Sequence, residues 1–231
     1  MSEALRATGF VVVATGLRAE ARIVAGSPRV RAIAGGGAAD ELEDQLWRAI
    51  ADGGEALISF GLAAGLDSHM AAGTCIIGRE VVHGGMCYSA NLRWASRLKT
   101  AIERAEMARI AGVDRPLSAV SDKRALHAEG GAVAADMESH IVGRIAAESG
   151  LPFAILRVIA DPAERQLPPA ALVGMRSDGA IDFRAVLASL AASPSQLPAL
   201  MRLTVDTARA RATLLRCRDL LGPGLGFGDL G

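Results

Sequence analysis

Two carboxylates carry the most chemical promise in this chain. Glu138 stands in "AADMESH", between an apolar run and a helix-like run, and Asp161 closes the apolar run "PFAILRVIAD". A glutamate in the first turn of a helix meets the positive end of the helix dipole, which favours its anion. Such an anion can accept two hydroxyl hydrogen bonds, the pattern of a vicinal diol. An aspartate after an apolar strand is partly desolvated, which raises its pKa and suits it to donating a proton. Read alone, each is ordinary: glutamate starts many helices and aspartate often serves as a turn or cap. A third acid, Glu20, follows the first apolar run in "TGLRAEARIV". Arg157 is a charge inside "AILRVIA" and needs a partner or a ligand there.

The unit that positions the pair is strand, helix, strand: "GAVAAD", then "ESHIVGRIAAESG" ending at Gly150, then "PFAILRVIAD". Parallel strands joined by a helix end on the same edge of a sheet, which predicts that Glu138 and Asp161 are neighbours. The rest of the chain alternates in the same way and predicts a three-layer α/β/α single domain with a mixed, twisted central sheet. Strands are expected at 10–15, 30–36 and 55–61, with 73–83 as one bent strand or two, and a short strand near "ARIAGV". Leu42, Leu46 and Ile50 recur at helical spacing. Helices are also expected after Thr15, over 91–105, and in "SDKRALHAE" with a serine cap. After Asp161 a Pro-rich loop precedes two helices, "DFRAVLASLAAS" and "LPALMRLTVDTARARATLLRCRDLL". The domain is expected over 1–221, with 222–231 a flexible Gly-rich tail. Two glycine-rich segments, 34–42 and 60–67, are candidate walls of one site beyond the strand ends; the first is not GxGxxG and reads equally as a tight turn.

Composition narrows the partners. Lys+Arg and Asp+Glu both number 25, so no basic field attracts nucleic acid. Apolar residues reach 51%, yet no run approaches the roughly 20 residues of a membrane span. Glu3 and Arg6 make the N-terminal stretch read as leading into a strand rather than as a signal peptide. The cysteines, Cys75, Cys87 and Cys217, form no zinc motif, and reduced thiols in the cytoplasm are expected.

The stretch "VAADMESHIVGRIAAESGLPFAILRVIAD" resembles a signature of the purine nucleoside phosphorylase/nucleosidase superfamily: a Met-Glu pair opening a helix, then a strand ending Arg-x-Ile-x-Asp. "VVVATGLRAEARIV" and "SFGLAAGLD" look like its first strand and its central Gly-rich segment. The resemblance implies that Met137 packs on a ribose, that Glu138 accepts its hydroxyls and that Asp161 protonates N7 of a purine. It implies that Glu20 activates water, and that Gly61, Ala63 and Arg157 belong to the substrate site. It implies no metal and no cofactor; phosphate enters only as a co-substrate if the reaction is phosphorolysis. Ala160 stands where the family has an aspartate-orienting serine, Leu62 where it has a small hydroxyl residue, and Ser59 where hexameric phosphorylases carry a phosphate-binding arginine. Arg18 and Arg22 are the available substitutes for that arginine. Hydrolysis is therefore favoured over phosphorolysis. The segment after Asp161 is similar to the subfamily encoded with hopanoid-biosynthesis genes, which implies adenosylhopane as the nucleoside. Methylthioadenosine or adenosylhomocysteine cleavage and general purine nucleoside phosphorolysis stand as alternatives, as does a non-catalytic nucleoside-binding protein. The resemblance implies a homo-oligomer, a dimer or higher, with the dimer favoured. Leu197, Leu200, Met201 and Leu203 either form an apolar entrance with transient membrane contact or pack on the domain or a second subunit.

Overall fold

The computed structural model describes residues 9–174, 176 and 178–228, so Glu3, Arg6 and residues 229–231 of the expected tail lie outside the described residues. One mixed sheet of eight strands carries the fold. The strands are β1 (Phe10–Thr15), β2 (Val30–Ala34), β3 (Gly54–Gly65), β4 (Cys75–His83), β5 (Met86–Ser89), β6 (Glu106–Gly112), β7 (Ala134–Asp136) and β8 (Phe153–Asp161). The helices are α1 (Arg18–Val24), α2 (Ala39–Ala51), α3 (Leu92–Ala101), α4 (Val120–Gly130), α5 (Ser139–Ser149), α6 (Pro169–Val173), α7 (Phe183–Ala192) and α8 (Leu197–Leu221).

The expected α/β single-domain architecture holds. One sheet face packs Ile23, Val24, Trp94, Leu98, Ala210 and Leu214 from α1, α3 and α8. The other packs Leu42, Leu46, Val142 and Ile145 from α2 and α5. β8 is buried along its whole length, the pattern of a strand covered on both faces.

The route to the site differs from the sequence expectation. β7 pairs antiparallel to β3 whereas β8 pairs parallel to it, so β7 and β8 are not parallel neighbours. They flank the same residue instead: Ala64 pairs with Ala135 on one side and Asp161 on the other. This is possible because β3 runs on to Gly65 rather than stopping at Gly61, so Gly61 and Ala63 lie in a strand and not in a loop. The pairings β3–β8, β8–β4, β4–β6, β6–β7 and β7–β3 close a ring. The β3–β8 register shifts between Ala63 and Ala64, which leaves Ala160 unpaired in a bulge just before Asp161. Bulges of this kind re-aim the side chains beside them.

Smaller differences have local causes. α3 starts after an Asn91 cap and stops at Ala101, short of Ala105. α4 begins one residue before Ser121, so that serine does not cap it. Residues 73–83 give one strand, β4, with a register shift after Gly78. β5 then folds back on β4 as a hairpin that the sequence reading did not anticipate. The expected loop after Asp161 holds the short α6, opened by Pro168 and Pro169. Residues 222–228 pack on the domain: Leu225 is buried, Trp94 Nε1 donates to its carbonyl at 2.9 Å, and Phe227 packs on Trp94. The fold also brings the buried thiols of Cys75 and Cys217 to 3.7 Å. Among the described residues no helix is long and apolar enough to cross a membrane.

Candidate active site

A cavity of about 200 Å³ opens where β7 and β8 flank β3. Its walls include Glu20, Asp136, Glu138 and Asp161, together with Met137, Leu62, Ala63, Leu117 and Leu167. Gly16, Gly36 and Gly37 line it as well. Gly36 and Gly37 have φ of 58° and 84°, a left-handed turn that glycine adopts without strain. A Cβ at Gly37 would also stand 3.1 Å from Met137 Cε.

Glu20 has two jobs. It sits in the first turn of α1, and its Oε2 accepts the backbone N–H groups of Gly16 and Leu17, both at 2.9 Å. That is the carboxylate half of a capping box. Its Oε1 accepts the N–H of Leu62 across the cavity wall at 3.0 Å. Three of about four lone-pair sites are thereby used, leaving room for one more donor.

Glu138 is relieved of the ordinary capping role. Asp136 Oδ1 accepts the N–H groups of Glu138 and Ser139 at 2.9 and 2.6 Å, so Asp136 caps α5. The Glu138 carboxylate reaches Arg157 instead, with Nη2 donating to Oε2 at 3.1 Å. Arg157 projects from β8 opposite Gly61 and is fully buried. Its Nη2 also donates to Asp136 Oδ1 at 3.1 Å and to Ser59 Oγ, and its Nη1 donates to the Leu62 carbonyl at 3.2 Å. Its Nε is 3.1 Å from Asp136 Oδ2, but the N–H is not aligned and makes no hydrogen bond. A Cβ at Gly61 would lie 2.9 Å from both Arg157 Nη1 and Glu20 Oε2, so the glycine makes room for the cluster.

Three buried carboxylates thus face one guanidinium. Burial, opposed by Arg157 and reinforced by Asp136 and Glu20, pushes Glu138 up to about 7. Helix-end stabilisation of the anion, expected from sequence, loses to desolvation here. Burial also raises Glu20, against its backbone hydrogen bonds and Arg157. Arg157 is raised despite its burial, because Asp136, Glu138 and Glu20 surround it.

Asp161 has a separate partner. Lys123 of α4 is fully buried, and its Nζ donates to Asp161 Oδ2 at 2.5 Å. It donates as well to the carbonyls of Pro162 at 3.0 Å and Arg165 at 2.9 Å. Burial raises Asp161, and Lys123 and then Arg165 oppose that rise. Arg165 is itself paired with the buried Asp206.

The structure therefore gathers Glu20, Met137, Glu138, Asp161 and Ala63 around one cavity, with Arg157 and Gly61 directly behind it. Asp136 and Lys123 escaped the sequence reading. Asp136 had a signal, an acid two residues ahead of Glu138; Lys123 had none, because only the fold brings α4 to the end of β8. Ser59 is buried and takes up Arg157 and Ser139 rather than facing the cavity. Arg18 is exposed and pairs with Asp178, and Arg22 is exposed on α1, so neither lines the cavity.

Residues 42–192, more than half of the chain, match the family described as the phosphorylase superfamily. No curated protein sequence matches the chain. Among solved structures it resembles a 5'-methylthioadenosine/S-adenosylhomocysteine nucleosidase of Helicobacter pylori at 13% identity, covering 93% of this chain and 99% of that one, TM-score 0.62. It resembles S-adenosylhomocysteine nucleosidase of Streptococcus pyogenes at 12% identity, covering 91% and 96%, TM-score 0.61. Futalosine hydrolase of Helicobacter pylori is similar at 14% identity, covering 66% and 88%, TM-score 0.57. At these identities the likeness is one of fold, and the family match adds descent: the chain belongs to the phosphorylase superfamily.

Proposed function

We propose that the protein cleaves the N-glycosidic bond of a purine nucleoside by hydrolysis, releasing adenine. The observation that carries this reading is the cavity itself, where a carboxylate cluster and a separately held aspartate face the same space. Cleaving the bond creates an oxocarbenium-like ribosyl group and a poor leaving group, which call for anionic surroundings and an acid. Asp161, raised by burial, donates a proton to N7 of the base. Glu138 accepts the ribose hydroxyls and Met137 packs on the sugar. Glu20, with acceptor capacity left, orients and deprotonates the attacking water. Arg157 holds Glu138 and Asp136 in place from behind.

Water rather than phosphate is the nucleophile in this reading. The charged residues lining the cavity are Glu20, Asp136, Glu138 and Asp161, all acids, which disfavours a phosphate dianion. The nucleoside carries an apolar substituent, and adenosylhopane is the candidate that the sequence resemblance implies. Support comes from the apolar walls at Leu17, Val113, Leu117 and Leu167. It comes also from exposed Phe183, Leu187 and Met201 on α7 and α8, a surface that a lipid or a second protomer would cover.

Adenine release from adenosylhopane, methylthioadenosine and adenosine, each with and without phosphate, tests the reading. Turnover without phosphate and preference for the apolar-tailed nucleoside are expected. Strict phosphate dependence would convert the assignment to a phosphorylase, and an Asp161→Asn variant with wild-type turnover would remove Asp161 as the acid. Calorimetric binding of adenine with no turnover of any nucleoside would leave a binding protein.

A further inference from the structure

Three side chains that the proposed reaction does not use converge beside the same cavity. His83 ends β4, Asp114 follows β6, and His140 is the second residue of α5. Their Nε2, Oδ1 and Nε2 atoms lie within 4.8 Å of one another, and Asp114 Oδ1 is 3.6 Å from His83 Nε2 and 3.5 Å from His140 Nε2. These separations are too long for good hydrogen bonds. They are close to the roughly 3.4 Å between neighbouring ligand atoms around a tetrahedral zinc with bonds of about 2.0–2.1 Å.

The surroundings prepare the two rings. His83 Nδ1 lies 3.1 Å from the Gly112 carbonyl, which fixes the proton on Nδ1 and leaves the Nε2 lone pair free. The imidazoles stack at 4.1 Å with 25° between their planes, and both present Nε2 to the same Asp114 oxygen. A Cβ at Gly112 would sit 2.4 Å from His140 Cβ, so this glycine admits the buried ring. His140 is 8% exposed and its Nδ1 has no hydrogen-bond partner. Asp114 is 78% exposed on its side chain, leaving a further coordination position open to water.

We infer that His83, Asp114 and His140 bind a divalent transition metal, with zinc the best match to two imidazoles and a carboxylate. The ion ties the end of β4, the segment after β6 and the start of α5 together. Glu138 immediately precedes α5, and Asp114, His140, Met137 and Glu138 line one small hollow beside the main cavity. The metal thus braces the sugar-side wall and supplies no step of bond cleavage. The inference is independent of the substrate and of the reaction.

Metal-stripped full-length protein is titrated with Zn²⁺ by calorimetry and with Co²⁺ by visible absorption. One equivalent, a tetrahedral Co²⁺ spectrum and a rise in Tm with zinc are expected. His83→Ala and Asp114→Ala each weaken binding at least 10-fold, while their metal-free Tm and circular dichroism confirm that they fold. His69→Ala is the control, since His69 pairs with Asp67 at an exposed site elsewhere and its loss leaves affinity unchanged. Absence of saturable binding, binding that survives both substitutions, or loss of binding in the His69 variant overturns the site.

Discussion

Replacing Lys123 by Met removes the ammonium that holds Asp161 while its flexible apolar chain fills the space of the lysine stem. The cost has a ceiling set by chemistry. Removing one partner of a buried ion pair typically costs about 3–5 kcal/mol. Asp161 limits that cost by taking up a proton. For an ordinary aspartate of pKa about 3.9, protonation at pH 7 costs about 4 kcal/mol, at 1.36 kcal/mol per pH unit. Asp161 starts above that value, so its share is smaller. The carbonyls of Pro162 and Arg165 each lose a donor, adding about 1 kcal/mol apiece. A loss of about 3–5 kcal/mol at pH 7 is expected.

Its pH dependence is the signature. Without Lys123 the folded-state pKa of Asp161 rises further, so the folded variant holds a proton that the unfolded chain releases. Stability from that proton is full below the unfolded pKa and is lost as pH rises, so the deficit grows from pH 5 to pH 8. The same change moves the alkaline limb of the pH–rate profile upward, and kcat falls about 100-fold or more as the acid loses its anchor. Urea unfolding at pH 5, 7 and 8 and adenine release across pH read both effects. A deficit equal at pH 5 and pH 8, or an alkaline limb that stays in place, refutes the claim that Lys123 governs Asp161.

Glu138→Gln separates stability from function. Glu138 moves from 4.5 to about 7 on folding, so its stabilising protonation is present below 4.5 and lost as pH climbs through 7. Removing that penalty is worth on the order of 3 kcal/mol above pH 8, so the variant, expected under the proposed reaction to lose turnover, unfolds at no lower urea there than wild type. Gly61→Ala drives a methyl into Arg157 and Glu20, and is expected to cost about 1–3 kcal/mol and to reduce turnover more than 10-fold. Leu225→Ala, at a position 1% exposed, is expected to lower stability by about 2–4 kcal/mol in thermal unfolding, which no frayed tail would do.

The elements around the site were legible where one local signal sufficed. Hydrophobic spacing marked α2, and Gly150 marked the end of α5, where its left-handed conformation closes the helix. Arg157 declared itself as a charge in an apolar strand, and Glu138 and Asp161 do line one cavity. The reason given for their meeting did not survive, since strand direction is a property of pairing and not of any one segment. Gly61 and Ala63 read as a loop because glycine weakens the strand pattern, although the sheet needs glycine there to admit Arg157. Lys123 was illegible in principle: a lone lysine in a polar helix reads as solvated until the end of β8 is set against it.

The strand ring has a consequence for motion. Ala64 is held by β7 and by β8 at once, so moving the segment that carries Glu138 away from Asp161 would break the pairing of β3 with one or the other strand. The distance across the cavity is therefore fixed by backbone that is hydrogen-bonded on both sides of β3. Entry and exit of a ligand fall to the segments outside the strands, 16–18, 35–38, 113–117 and 165–168, all four of which bear glycine or proline. Recognition at this site is rigid at its chemical end and adjustable only at its rim.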